Sequence, residues 1–260
     1  MRSLLFGVLA GCGRFGFDPG IDPGGDGSIT GDARLDALAC TMAGNDDDGD
    51  GLVDTCDPCP YLAGNAGDAD GDGVGDACDP RVTPTESIAL FDPFLAPSAA
   101  WDYKASRVEG GALVMQGSQV ILVELVGSPQ RSVYSVRADL RATGSAQHQF
   151  SIQMRDVDPE RFFCELYADP PDLYVSSTYT LDGSQFVTSQ TSIAGSFVDS
   201  DVVLEMVLDP PQFTCRLQWL GTVYTAPSTT IPTVIDPSIV RIVMNGVEGG
   251  LRHFTRIAMD

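Results

Sequence analysis

The sequence predicts an all-β chain: an antiparallel sandwich of jelly-roll type over residues 85–260, preceded by a helix-poor acidic segment at 40–80. Three observations predict it. Short runs with strict two-residue alternation recur in the C-terminal two thirds, turn signals such as "VGSPQ", "DPPD", "LDGS" and "VEGG" divide them, and no stretch of ten residues there keeps a helical period. The acidic segment is set apart by charge. The chain carries a formal charge of −21, yet residues 40–80 alone hold eleven Asp and no Lys or Arg. Such a balance excludes nucleic acid as a partner, because phosphates demand basic patches. At 260 residues and 43% hydrophobic content, the chain can bury one proper core and carry accessory segments.

Residues 1–11 have the layout of a secretory signal. Arg2 precedes a short apolar run from Leu4 to Ala10, too short to span a bilayer as a helix, and Gly11 and Cys12 follow. The stretch Leu9-Ala10-Gly11-Cys12 resembles the lipobox of bacterial lipoproteins. That resemblance implies lipidation of Cys12 and attachment to the outer membrane of a bacterium, on its periplasmic or cell-surface face. Multiple acyl chains hold a protein on a membrane where a single one gives only marginal binding. Residues 12–39 are rich in Gly, Asp and Pro without an apolar period and read as a flexible linker.

Within 40–80 lies an internal repeat. "DDDGDGLVDTCD" (46–57) aligns without a gap to "DADGDGVGDACD" (68–79), so both read D-x-D-x-D-G-x-x-D-x-C-D. Carboxylates fall at positions 1, 3, 5, 9 and 12: Asp46, Asp48, Asp50, Asp54 and Asp57 in the first copy, Asp68, Asp70, Asp72, Asp76 and Asp79 in the second. Alternate side chains turn to one side, the glycine at position 6 permits a sharp bend, and the carbonyl at position 7 (Leu52 or Val74) adds an oxygen. Oxygen donors in that number and flexible geometry suit calcium (Ca2+); magnesium demands a tighter octahedron, and transition metals prefer imidazole or thiolate. The flanks contain Pro58, Pro60 and Pro80 rather than the amphipathic helices of an EF-hand.

The segment resembles the thrombospondin type 3 repeat, on "CDPCPYLAGNAGDADGDGVGDACDP" and its upstream copy. The resemblance implies calcium-wrapped loops with almost no hydrophobic core. Six cysteines remain besides Cys12, an even number suited to an exported chain. Four of them, Cys40, Cys56, Cys59 and Cys78, allow three pairings; the family resemblance implies Cys40–Cys56 and Cys59–Cys78. A redox role for "CDPC" is disfavoured because the surrounding carboxylates raise thiol pKa values, and a zinc knuckle lacks a second matched pair.

Residues 85–260 alternate apolar and polar positions. Tyr134, Val136, Ala138 and Leu140 share one face; so do Phe150, Ile152 and Met154, then Val202, Leu204, Met206 and Leu208, then Phe213, Cys215, Leu217 and Trp219. About a dozen strands are expected. Cys164 and Cys215 fall on alternating strands and would most simply pair across two of them. "FDPFLAPSAAWDYKASRVEGGALVMQ", "RDVDPERFFCELY" and "GVEGGLRHFTRIAMD" resemble the opening, middle and closing strands of concanavalin-like and laminin G-like domains. That superfamily includes lectins, adhesion modules, hydrolases and structural spacers, so fold follows from it better than function.

No catalytic constellation is apparent. Glu205 and Asp209 share strand parity but lack the third acid of a laminarinase-type site, and they read as a solvent-facing Glu and a turn Asp. His148 and His253 have no nucleophile elbow beside them and read as wall or surface residues. Trp101, Tyr103, Tyr174 and Tyr179 are sugar-stacking candidates by type, although sandwich cores use the same residues for packing. The sequence therefore leads to a non-enzymatic, calcium-binding lipoprotein of the cell envelope, its sandwich binding a glycan or a surface protein. A surface-tethered polysaccharide hydrolase and a purely structural spacer are the alternatives.

Overall fold

The computed structural model describes residues 45–64, 67–81, 85–116, 121–126, 131–142, 148–155, 161–169, 172–181, 185–195, 200–231 and 239–259. The expected leader, Cys12 and linker lie outside the described residues. Cys40 to Asp260 form one compact unit. Among the described residues there are strands and turns but no helix.

Two antiparallel sheets face each other. In chain order the strands are β1 (Glu86–Asp92), β2 (Trp101–Asp102), β3 (Arg107–Val108), β4 (Leu113–Met115), β5 (Ile121–Val126), β6 (Ser132–Ala142), β7 (His148–Arg155) and β8 (Arg161–Asp169). They continue as β9 (Asp172–Leu181), β10 (Gln185–Ser192), β11 (Ser200–Asp209), β12 (Gln212–Trp219), β13 (Thr222–Thr225), β14 (Thr229–Thr230), β15 (Ile239–Asn245) and β16 (Val247–Met259). The nine-stranded sheet has the order β13-β12-β11-β6-β16-β4-β3, with β1 added on β16 and β14 on β12. The seven-stranded sheet runs β10-β9-β8-β7-β15-β5-β2. Consecutive strands repeatedly change sheet, as from β6 to β7 and from β10 to β11, which is how a jelly roll wraps one core between two layers.

The core is built by the alternating runs. Tyr134, Val136, Ala138 and Leu140 of β6, and the inward residues of β7, β11 and β12, are all at most 5% exposed. Aromatic rings join the layers. Phe162 meets Phe213 edge-on at 5.7 Å, and Trp101 meets Phe254 at 4.9 Å. Cys164 of one sheet is disulfide-bonded to Cys215 of the other. The "GGAL" stretch forms the β3–β4 hairpin, where Gly110 and Gly111 both take positive φ, 63° and 72°. That is the requirement of a type I′ turn, and it explains two adjacent glycines there.

One irregularity positions the candidate site. Pairing of β16 with β6 shifts register between Leu251 and His253. Simple alternation would aim His253 into the core beside Leu251. The bulge instead turns His253, Thr255 and Ile257 to the outer face of the nine-stranded sheet and sends Phe254 inward.

Candidate metal centres and their docking face

The two Asp loops adopt one hydrogen-bond pattern. Asp46 accepts the N–H groups of Gly49 (2.7 Å) and Gly51 (3.0 Å); Asp68 accepts those of Gly71 (2.7 Å) and Gly73 (2.9 Å). Asp50 and Asp72 each accept the N–H two residues on, from Leu52 and Val74, at 2.9 and 2.8 Å. Gly49, Gly51, Gly71 and Gly73 all have positive φ, so the bends that bring the carboxylates together depend on residues without a Cβ. The repeat in sequence is thus a repeat in backbone geometry.

In each loop the first three alternate carboxylates converge. One oxygen from each of Asp46, Asp48 and Asp50 lies within 4.8 Å of the others, and Asp68, Asp70 and Asp72 form the matching cluster. Asp57 and Asp79, at position 12, feel the same charges: both have pKa values pushed up, first by burial and then by neighbouring Asp side chains. Asp48 and Asp70 are raised for the same leading reason. Asp54 also braces its loop, its two oxygens accepting the Asn45 amide (2.8 Å) and the Asp47 N–H (2.9 Å). Asp76 likewise accepts the N–H of Ala69 at 2.9 Å. Position 9 braces each loop in this arrangement and stands outside the three-carboxylate clusters.

The donor set fits a hard cation. Asp48 Oδ2 and both carboxylate oxygens of Asp70 are buried without a hydrogen-bond partner. Orphaned carboxylate oxygens among like charges are costly, and a divalent ion accepted by several of them removes the cost. Asp46, Asp48, Asp50, Asp54 and Asp57 would hold it in the first loop, with the Leu52 carbonyl; Asp68, Asp70, Asp72, Asp76, Asp79 and the Val74 carbonyl would do so in the second.

The loops lie on the outer face of the nine-stranded sheet and do not stand away from it as a coreless stalk. Val74 is fully buried in a small cluster with Val133, Ile257 and Met259, and Ile88, Val207 and Cys78 pack around them. The second loop is tied laterally where Asp72 accepts the Glu86 N–H at 3.0 Å. At the first loop, the completely buried His253 places Nδ1 3.3 Å from Asp47 Oδ2. The rings of Tyr61 and Phe91 flank that imidazole at 5.1 and 5.8 Å. The connector joins in, with the Gly64 N–H donating to Asp50 Oδ2 at 3.0 Å. Cys59 is bonded to Cys78, closing the connector onto the second loop. Cys56 is also disulfide-bonded, and its expected partner Cys40 lies outside the described residues.

Several residues singled out by type have structural employment. Trp101 donates its indole N–H to Asp92 at 2.9 Å, Tyr179 stacks on Phe162 at 4.9 Å, and the Tyr103 hydroxyl accepts the Ser98 N–H. Tyr174 pairs with Tyr167. His148 and His253 are both buried, not surface residues. Glu205 is ion-paired with Arg216 at 3.0 Å and faces the acidic segment instead of open solvent; Asp209 pairs with Arg131 at 2.6 Å. The docking face went unrecognised in the sequence. Its one legible signal was Val133, an apolar residue where the alternation of β6 demands a polar one; Ile257 and Met259 reach that face only because of the bulge after Leu251.

An antiparallel jelly-roll β-sandwich carrying two acidic loops on one outer face is therefore the class of protein that the fold and site define. The sandwich has counterparts among solved structures. It is similar to the CBM2 module of the evolved Dit of Lactobacillus casei BL23 phage J-1 (TM-score 0.52, 10% identity, 67% of this chain and 96% of that one). It is equally similar to a structure reported for the endo-acting O-glycanases that prominent members of the human gut microbiota express to initiate mucin breakdown (TM-score 0.52, 14% identity, 67% and 100%). A third is xylan β-1,4-xylosidase from Bacillus halodurans C-125 (TM-score 0.50, 12% identity), where the match covers 66% of this chain and 40% of that one. No protein-family model matches the sequence, and no curated protein matches it.

Proposed function

We propose that this chain is a calcium-binding, non-enzymatic protein of the bacterial cell envelope, lipid-anchored at Cys12, whose sandwich recognises a glycan or a surface protein. The observation that carries the calcium reading is the pair of loops, which share their turn-forming hydrogen bonds and each gather three carboxylates around buried oxygens that no protein donor satisfies. The likeness of the loops to thrombospondin type 3 repeats supports the same ion. The two cystines suit an oxidising compartment, in keeping with export. Carbohydrate-directed proteins among the structural neighbours support a glycan as ligand.

Binding is favoured over hydrolysis by the placement of acids. On the outer face of the seven-stranded sheet, Glu165 has its pKa raised by burial while Glu124, beside Lys104 and Arg241, has its pKa lowered. A raised and a lowered carboxylate make an acid–base pair only when close. Glu165 on β8 and Glu124 on β5 are three strand spacings apart, about 14 Å, beyond the ~5–9.5 Å that glycosidases use.

Calorimetric titration of the oxidised protein with calcium tests the proposal. Saturable binding at two sites is expected, with Asp48→Asn removing one and Asp70→Asn the other. No binding up to millimolar calcium refutes it.

A further inference from the structure

Two cavities line the seam between the acidic segment and the sheet beneath it. The first, about 220 Å³, is bounded by Cys78, Asp79 and Pro80 of the segment and by Glu205, Arg216 and Val223 of the sheet. The second, about 400 Å³, is bounded by Leu62 of the connector and by Arg137, Asp201 and Leu220. Both are also lined by Tyr61, Val203 and Gln218, so they are two ends of one groove. Together their space falls in the range of ~300–1,000 Å³ usual for ligand sites.

The chemistry of the groove narrows its occupant. Both of its cations are already paired, Arg137 with Asp201 at 2.7 Å and Arg216 with Glu205 at 3.0 Å, so no free positive charge awaits a phosphate, sulfate or uronate. The Asp-rich wall would repel such anions further. What the groove offers is the Gln218 amide, the Ser135 hydroxyl and the Tyr61 hydroxyl, which has no hydrogen-bond partner among the described residues. Beside them stand exposed apolar surfaces: Leu220 is 81% exposed, Val223 60% and Leu62 37%. Neutral hydrogen-bonding groups interleaved with apolar patches match the hydroxyl-rich edges and apolar ring faces of a sugar chain.

We propose that this seam is a binding groove for a neutral oligosaccharide, and that calcium in the two Asp loops sets the position of its wall. The wall hangs on the carboxylates assigned to the ions. The Gly64 N–H bonds Asp50, the Leu62 N–H bonds the Cys59 carbonyl two residues from the position-12 Asp57, and Asp79 is both a position-12 acid and a lining residue. A loop that reorganises when its ion leaves therefore carries Tyr61 and Leu62 with it. This rests on the calcium reading above, and it supplies the site at which the sandwich would take a glycan.

The test is calorimetric titration of the full chain, cysteines oxidised, with xylohexaose, cellohexaose, laminarihexaose, maltohexaose and chitohexaose, in calcium and in EGTA. At least one should bind saturably in calcium and at least tenfold more weakly in EGTA. Tyr61→Phe and Gln218→Ala should each weaken that sugar at least tenfold while calcium titrations of the same variants stay unchanged. No sugar binding, or binding indifferent to both substitutions, overturns the groove even if calcium binds normally. Tight binding of a lysine-rich peptide in place of any sugar overturns the assigned ligand class. Sugar binding that is lost in Gln218→Ala but unchanged in EGTA overturns the calcium coupling. Absence of calcium binding in the parent protein marks the failure as that of the calcium reading.

Discussion

Val74 is where the acidic segment meets the sandwich most closely, and Val74→Ala measures how firmly. The side chain is fully buried against Val133, Ile257 and Met259. The substitution removes two methyl groups, worth about 0.8 kcal/mol each by transfer, and leaves a small void that adds to the loss. The cluster is thin and its edge can partly collapse, so a total near 2 kcal/mol is expected. Only the segment depends on this contact, because the main core is a separate cluster. The loss should therefore appear as local opening. About 2 kcal/mol is roughly a thirtyfold rise in the opening equilibrium. Amide hydrogen exchange in calcium reads it directly: the N–H groups of Gly71, Gly73 and Val74, which donate to Asp68 and Asp72, should exchange about thirtyfold faster. Amides in the middle of β12 serve as the reference and should be unaffected. The carbonyl assigned to the ion belongs to the backbone and survives the change. A rise below threefold at all three loop amides would show that the segment holds its shape without the sheet, and the docked arrangement would be refuted.

Two further outcomes follow from the sandwich. Glu165 has a folded pKa raised by burial, so the stability it contributes is complete below its unfolded pKa and is lost as pH rises through the folded one. Glu165→Gln should therefore gain on the parent as pH rises from the ordinary carboxylate range towards neutral, in urea unfolding followed across pH; a constant difference between the two proteins counts against a buried titrating Glu165. The Cys164–Cys215 bridge closes a loop of 51 residues, for which chain entropy gives about 4 kcal/mol. Cys164→Ala with Cys215→Ala should lower the unfolding free energy by about that much, and a loss under 1 kcal/mol contradicts the role assigned to the bridge.

The parts that were legible in the sequence are those whose physics is local. Alternation identified the inward faces of β6, β7, β11 and β12 because a half-buried strand must repeat every second residue. The Asp loops were legible for a similar reason, since the bonds common to both join residues at most nine apart. Strand number was less so: β2, β3 and β14 have two residues each and leave no period to read. The bulge after Leu251 was invisible because it breaks the pattern on which reading depends. With it went the aim of His253, whose contact with Asp47 spans 206 residues.

Charge explains why the docked segment needs both the sheet and its ions. Eleven Asp lie in residues 40–80, while the chain has only fifteen basic residues in all. Those nearest the segment are largely engaged elsewhere, Arg137 with Asp201 and Arg216 with Glu205. His253 offers one contact to Asp47. Attraction to the sheet is thus too small to hold the segment, and repulsion within it works against any compact shape. Apolar burial at Val74 and ring packing of Tyr61 on His253 can fix where the segment lies, but neither relieves the crowded carboxylates of Asp48 and Asp70. Calcium would relieve them without touching the sheet. Removing the ion should then loosen the loops first and the seam with them, while the cross-linked core between the two sheets keeps its fold.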